Sequence, residues 1–154
     1  MDDIRKTKQH FFDEYGGFAD KRLKNIDKGE TFIVDDRKPR DVGADKKPYG
    51  YFCMMFAKVV SAQSIEVSLR GNIPMSDAVL GWTAETGAAL TGGLQQTLRF
   101  EVRRGEEDRL ADLADRIEAI TAPGARYEHA NYKYVCPRTA KSLRRLAATM
   151  KSVG

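Results

Sequence analysis

The feature that most constrains the fold is a change of hydrophobic period between two neighbouring segments. Leu98, Phe100 and Val102 alternate with charged residues, which is the pattern of a strand with one buried face. From Glu106 to Thr121 the apolar residues recur instead at the spacing of one helical face, at Leu110, Leu113, Ala114, Ile117 and Ile120. A strand followed directly by such a helix predicts a sheet with helices packed against it.

Three earlier segments have the composition of strands. Thr31 to Val34 is short and apolar, and Tyr49 to Val60 is strongly apolar with little alternation, which is typical of a central strand. Ser64 to Arg70 alternates regularly and follows a three-residue turn. The second and third of these segments are therefore predicted to form an antiparallel hairpin with one face on the core.

The remaining segments complete the predicted order of elements. Tyr132 to Cys136 is predicted to be a short strand, and Pro137 suits the first position of a helix whose apolar face includes Leu143, Leu146 and Met150. The others are a helical N-terminal segment over 1–30, a polar loop over 35–48, a helical turn from Ser76 to Leu80 and a largely irregular stretch from Gly81 to Gly93 with room for a helical turn at its centre.

Together these elements predict one globular α+β domain over residues 1–154. Its sheet is expected to be mixed but mostly antiparallel, with about five strands and with helices packed on one face. Residues 97–154 are expected to form a C-terminal β-α-β-α unit, whose crossover is right-handed if its two strands are parallel neighbours.

Composition narrows the class of protein. The chain has 154 residues, of which 42% are hydrophobic and 31% are charged, and this balance is typical of a folded globular domain. No apolar run is long enough to cross a bilayer, and the N-terminus lacks the pattern of a signal peptide. Two cysteines and two histidines show no metal-ligand spacing. We therefore expect a cytoplasmic protein without metal, cofactor or membrane partner.

Positive charge is concentrated at the C-terminal end of the chain. The net charge is +4, yet residues 126–154 hold seven bases and one acid, whereas residues 105–125 hold two bases and six acids. No acid occurs from Pro137 to Gly154. Surface helices usually mix charges of both signs, so a helix with cations only is the strongest functional signal in the sequence.

A helix with this composition suits the phosphates of a nucleic acid. Each lysine or arginine can neutralise a phosphate and release counterions, and the hydroxyls of Ser142, Thr149 and Ser152 can add hydrogen bonds. We therefore predict a nucleic-acid-binding or regulatory protein. The predicted phosphate contacts are Arg138, Lys141, Arg144, Arg145 and Lys151, with Lys133, Tyr132 and Tyr134 as assisting residues.

Two simpler interpretations remain open for the same cations. The acidic helix over 106–121 could pack alongside and pair with them, because cations near a helix C-terminus also stabilise its dipole. Alternatively, the basic helix could face an acidic protein surface, which would make the chain an interaction module, either a homo-oligomer or an inhibitor.

Two candidates concern reactive side chains. His129 and Glu128 could act as general acid and base in a metal-independent ribonuclease, although adjacent residues would point to opposite sides of an extended chain. Cys136, placed at a helix N-terminus near Arg138, is in an arrangement that lowers a thiol pKa, but we expect an inert, partly buried thiol.

Overall fold

The computed structural model describes residues 31–34, 53–71, 74–92, 96–129 and 132–153. Within them the sheet strands are β1 (Thr31–Ile33), β2 (Cys53–Ser61), β3 (Ser64–Gly71), β4 (Ala89–Thr91) and β5 (Gln96–Arg103). The described helices are α1 (Asp77–Thr86), α2 (Asp108–Ala119) and α3 (Tyr132–Val153). The chain is therefore an α+β protein, as its hydrophobic pattern predicts.

The sheet is antiparallel at every described pairing. Its spatial order is β1-β2-β3-β5-β4, and the hairpin predicted between β2 and β3 is present, with Ala57 opposite Val67. The prediction of a mixed sheet is wrong for the described strands. It depended on a parallel strand after α2, and the chain forms a helix there instead.

One face of the sheet and the described helices share a single core. Along β3, Ile65, Val67 and Leu69 are buried, and their neighbours on β2 and β5 in the same register rows are buried as well. Their cluster includes the apolar faces of α2 and α3. Full burial of each such aliphatic side chain contributes about 1.5–3 kcal/mol. On the other face, Arg70 and Arg99 are exposed.

The stretch predicted to be irregular contains two regular elements. Ser76 caps α1 by accepting a hydrogen bond from the N–H of Val79 at 3.2 Å, and Gly87 ends the helix in a left-handed conformation at φ 70°. The predicted helical turn thus continues through Gly81 to Thr86, and β4 follows. The helical pattern is weak because α1 is rich in small residues and buries only Val79 and Trp82.

The predicted strand from Tyr132 to Cys136 is wrong, because these residues form the beginning of α3. Val135 and Cys136 are buried in line with Thr139, Leu143 and Leu146, so the apolar face of the helix extends back through them. Pro137 lies inside the helix near its N-terminus, where its missing N–H leaves one main-chain acceptor without its usual partner. The predicted C-terminal β-α-β-α unit is therefore not present.

Two predicted segments lie outside the described residues: the helical segment over 1–30 and the polar loop over 35–48. None of the helices that the structure describes is long and apolar enough to cross a membrane.

Candidate functional site

The candidate site is the solvent-facing side of α3. The helix itself packs against α2 through its apolar face. The two helices pack along their length and contribute Leu113, Ile117, Leu143 and Leu146 to the core. Lys151 near the end of α3 pairs with Asp108 at the start of α2, and Arg144, earlier in α3, pairs with Asp115, later in α2, so the helices run antiparallel. The buried apolar seam leaves the charged side chains of both helices on the surface, where opposite charges meet.

Arg144 is held by two acidic residues of α2. Its Nη2 donates a hydrogen bond to Asp115 Oδ1 at 2.7 Å, and its Nη1 donates to Glu118 Oε2. The hydrogen bond to Asp115, and next the one to Glu118, raise the pKa of Arg144 above its usual value. The side chain remains 42% exposed, so solvent screens both pairs.

A third ion pair joins the two helices near the end of α3. Lys151 Nζ lies 3.1 Å from Asp108 Oδ1 in the first turn of α2, and both side chains are exposed. Pairing with the acidic helix is therefore confirmed for Arg144 and Lys151, and it accounts for part of the charge segregation without any ligand. The acids on α2 also place negative charge beside two of the predicted phosphate contacts.

The other predicted contacts are spread around the surface of α3. Lys133 and Lys141 are exposed, whereas Arg138 and Arg145 are half-buried. Of the predicted hydroxyl contacts, Ser152 is exposed, whereas those of Ser142 and Thr149 are wrong, because these residues are 2% and 5% exposed. Both residues lie on the flank of the helix that the core covers, so neither can reach a surface ligand.

Tyrosines near the start of α3 pack with each other. The rings of Tyr127 and Tyr132 meet edge to face, with their centroids 5.5 Å apart, and both residues pack against the core. The guanidinium carbon of Arg126 lies 5.4 Å from the centre of the Tyr127 ring. The side chain of Tyr134 lies outside the described part of the structure.

Glu128 and His129 lie in a turn rather than in an extended segment, and their side chains are close together. His129 Nε2 is 3.6 Å from Glu128 Oε2, which also accepts a hydrogen bond from the N–H of Gly124 at 3.0 Å. His129 is 90% exposed. A histidine this open to water lacks the enclosure by which catalytic sites exclude solvent.

The pairs made by Arg144 predict a loss of stability when they are removed. Replacing Arg144 with glutamate removes two attractive pairs and sets three carboxylates together. We expect the free energy of unfolding to fall by about 1 kcal/mol relative to the unaltered chain, and by less in Arg144→Gln, which adds no carboxylate. Urea titration followed by circular dichroism measures both variants. The loss should shrink in high salt, and unaltered stability of Arg144→Glu at low salt would contradict the assignment.

Comparisons with protein-family models, with curated proteins and with solved structures gave no match. A functional assignment therefore depends on the geometry and charge of this chain alone.

Proposed function

We propose that the protein is a non-enzymatic nucleic-acid-binding or regulatory protein that contacts phosphates with the cationic outer face of α3. The observation that carries the proposal is the single sign of charge on this helix. From Tyr132 to Val153 it holds six cations and no acid. Four of them, Lys133, Lys141, Arg144 and Lys151, are exposed. Arginine and lysine contacts to phosphate supply most of the sequence-independent affinity for nucleic acid.

The ion pairs with α2 reduce the expected strength of this binding. A phosphate that approaches Arg144 or Lys151 has to compete with Asp115, Glu118 or Asp108. The test positions are Lys133 and Lys141, which are exposed and whose substitution leaves the pairs of Arg144 and Lys151 with α2 in place. Four phosphate contacts predict roughly a hundredfold loss of affinity for duplex DNA between about 50 and about 200 mM salt.

Removing the charges of Lys133 and Lys141 tests the proposed binding. In the double variant Lys133→Gln, Lys141→Gln, binding to labelled single- and double-stranded DNA and RNA should weaken. The slope of log affinity against log salt should fall by about one for each cation removed. Fluorescence anisotropy across a salt series measures both quantities.

A matched control removes the same charge elsewhere. Arg70 and Arg103 are exposed on strands of the sheet, away from α3, and the variant Arg70→Gln, Arg103→Gln also loses two positive charges. It should bind almost as the unaltered chain does. Equal weakening in both double variants would indicate a general effect of net charge, and no salt-sensitive binding to any probe would overturn the proposal.

Two alternatives are checked by other measurements. In a ribonuclease that used His129 and Glu128, the RNA probe would shorten during incubation, and shortening that Glu128→Gln abolishes would favour that enzyme. A protein-interaction module would form a stable oligomer with α3 buried at its interface, which sedimentation velocity of the full chain detects.

A further inference from the structure

The exposed residues of α3 form one narrow stripe along the helix. From Lys133 to Lys151 they recur every three or four positions, which keeps them on one side of a helix that turns about 100° per residue. The opposite half of α3 is buried in the core. At a rise of about 1.5 Å per residue the stripe is about 27 Å long. Its cations are Lys133, Lys141, Arg144 and Lys151, and its other members are uncharged.

Acids of α2 border one side of this stripe. Asp108, Asp115 and Glu118 each pair with a cation of the stripe, yet their side chains are 93%, 72% and 49% exposed. α2 as a whole holds four acids and two bases. The three carboxylates therefore face solvent beside the stripe, where a ligand that binds along α3 meets them.

The packing of α2 on α3 prevents α3 from entering the major groove of a duplex. That groove is about 12 Å wide in B-DNA, and an α-helix with its side chains is about 10–12 Å across, so the groove admits one helix. α2 packs along the length of α3, at the distance of about 8–10 Å between axes that is usual for helices in contact. Because the pair is wider than the groove, α3 meets a nucleic acid along its phosphates.

A duplex laid on the stripe brings phosphates to the carboxylates of α2. On either side of any one strand of a duplex, the other strand passes at the width of the minor or the major groove, about 6 or 12 Å. The axes of two packed helices are separated by a similar distance. The second strand therefore places phosphates against Asp108, Asp115 and Glu118. Like charges that are brought together at an interface weaken binding.

A single strand avoids this conflict, because it carries one row of phosphates and is flexible enough to follow the stripe. We propose that the nucleic acid bound by α3 is single-stranded and that Asp108, Asp115 and Glu118 of α2 disfavour duplexes. The contacts are made to phosphates, so binding has little preference for base sequence. This proposal rests on the proposed function of α3 and specifies its substrate class.

Fluorescence anisotropy with two matched probes tests the proposal. One probe is a labelled deoxythymidine oligomer, which does not pair with itself, and the other is the duplex that it forms with its complement. With the full chain at one salt concentration, we expect the single strand to bind about tenfold more tightly. Equal affinities, or tighter binding of the duplex, would overturn the proposal, because the higher charge density of a duplex favours it on a cationic surface without neighbouring acids.

Neutralising two of the acids tests their role. The variant Asp115→Asn, Glu118→Gln should bind the duplex about tenfold more tightly and the single strand with a smaller gain, because Arg144 is released toward both probes but the repulsion acts mainly on the duplex. The matched control Asp77→Asn, Glu101→Gln also removes two exposed negative charges, from α1 and from the outer face of β5. It should leave the ratio of the two affinities unchanged. The same ratio in the first variant as in the unaltered chain would show that the acids do not select the strand.

The outcomes distinguish this proposal from the proposed function. Salt-sensitive binding of both probes with equal affinity would leave α3 as the binding surface and remove its selectivity, whereas no salt-sensitive binding to either probe would overturn both proposals. Circular dichroism and urea titration establish that the variants fold, and we expect a small loss of stability because the lost ion pairs are exposed. If the double variant is unstable, Asp115→Asn alone gives the same comparison with a smaller change in the ratio.

Discussion

Replacing Trp82 with alanine is expected to lower the free energy of unfolding by about 3–5 kcal/mol, the range for a large aromatic side chain lost from a core. Trp82 is 1% exposed, and its ring meets Phe100 edge to face at an interplanar angle of 79°. Its Nε1 donates a hydrogen bond to the carbonyl of Arg109 at 3.2 Å, which ties α1 to the start of α2. The change therefore removes buried area, an aromatic contact and an inter-helix hydrogen bond together.

Urea unfolding followed by circular dichroism measures this loss, because the variant has no tryptophan left to report by fluorescence. The control Trp82→Phe keeps an aromatic ring but loses the hydrogen bond, and we expect a smaller loss, of about 1–2 kcal/mol. If the alanine variant does not fold, the phenylalanine variant still gives a measurable value. A loss below about 1 kcal/mol for Trp82→Ala would show that the residue does not lie in the core.

The second large effect concerns the reactivity of Cys136. This free cysteine is 0% exposed, and burial raises the pKa of its thiol from 9.0 to about 12. The interpretation of a lowered pKa at a helix N-terminus is therefore wrong, because the helix already begins at Tyr132 and the thiol faces the core. Since the thiolate is the reactive form, alkylation near neutral pH should be roughly a thousandfold slower in the folded chain than in urea.

Mass spectrometry of peptides after timed alkylation assigns the rate to Cys136 separately from Cys53. Rapid labelling of Cys136 in the folded chain would contradict its burial.

The same pKa also predicts a dependence of stability on pH. Between about 9 and 12 the folded thiol keeps its proton while the unfolded one releases it. The contribution of the Cys136 thiol to the free energy of unfolding is thus fully present below about pH 9. It is lost as pH rises toward the folded-state pKa, by about 1.4 kcal/mol per pH unit.

Alkaline unfolding of Cys136→Ala isolates that contribution, because lysines and tyrosines titrate in both proteins and cancel in the comparison. We expect the variant to lose stability less steeply above pH 9. Parallel curves for the two proteins would indicate that the thiol ionises with an ordinary pKa.

The distribution of charge predicted the candidate surface but not how the chain uses it. The acid-free composition of the last helix and the acids of the preceding helix are both evident in the sequence. The sequence does not show which cations pair with which acids, because Arg144 contacts residues 26 and 29 positions earlier in the chain. Those distances in sequence are set by the antiparallel packing of α2 on α3. The ion pairs thus join Arg144 and Lys151 of α3 to acids of α2.

The sequence by itself determined the elements whose hydrophobic period is long and regular. The alternation over Ser64 to Arg70 and over Leu98 to Val102, and the helical repeat after Glu106, each specify a conformation locally, because side-chain direction follows backbone period. Tertiary structure decided the elements whose pattern is short. Tyr132 to Cys136 suits a strand or a helix equally, and burial of Val135 and Cys136 in line with the rest of α3 selects the helix. β4 likewise exists as a strand because β5 offers its edge, a partner that no local pattern reveals.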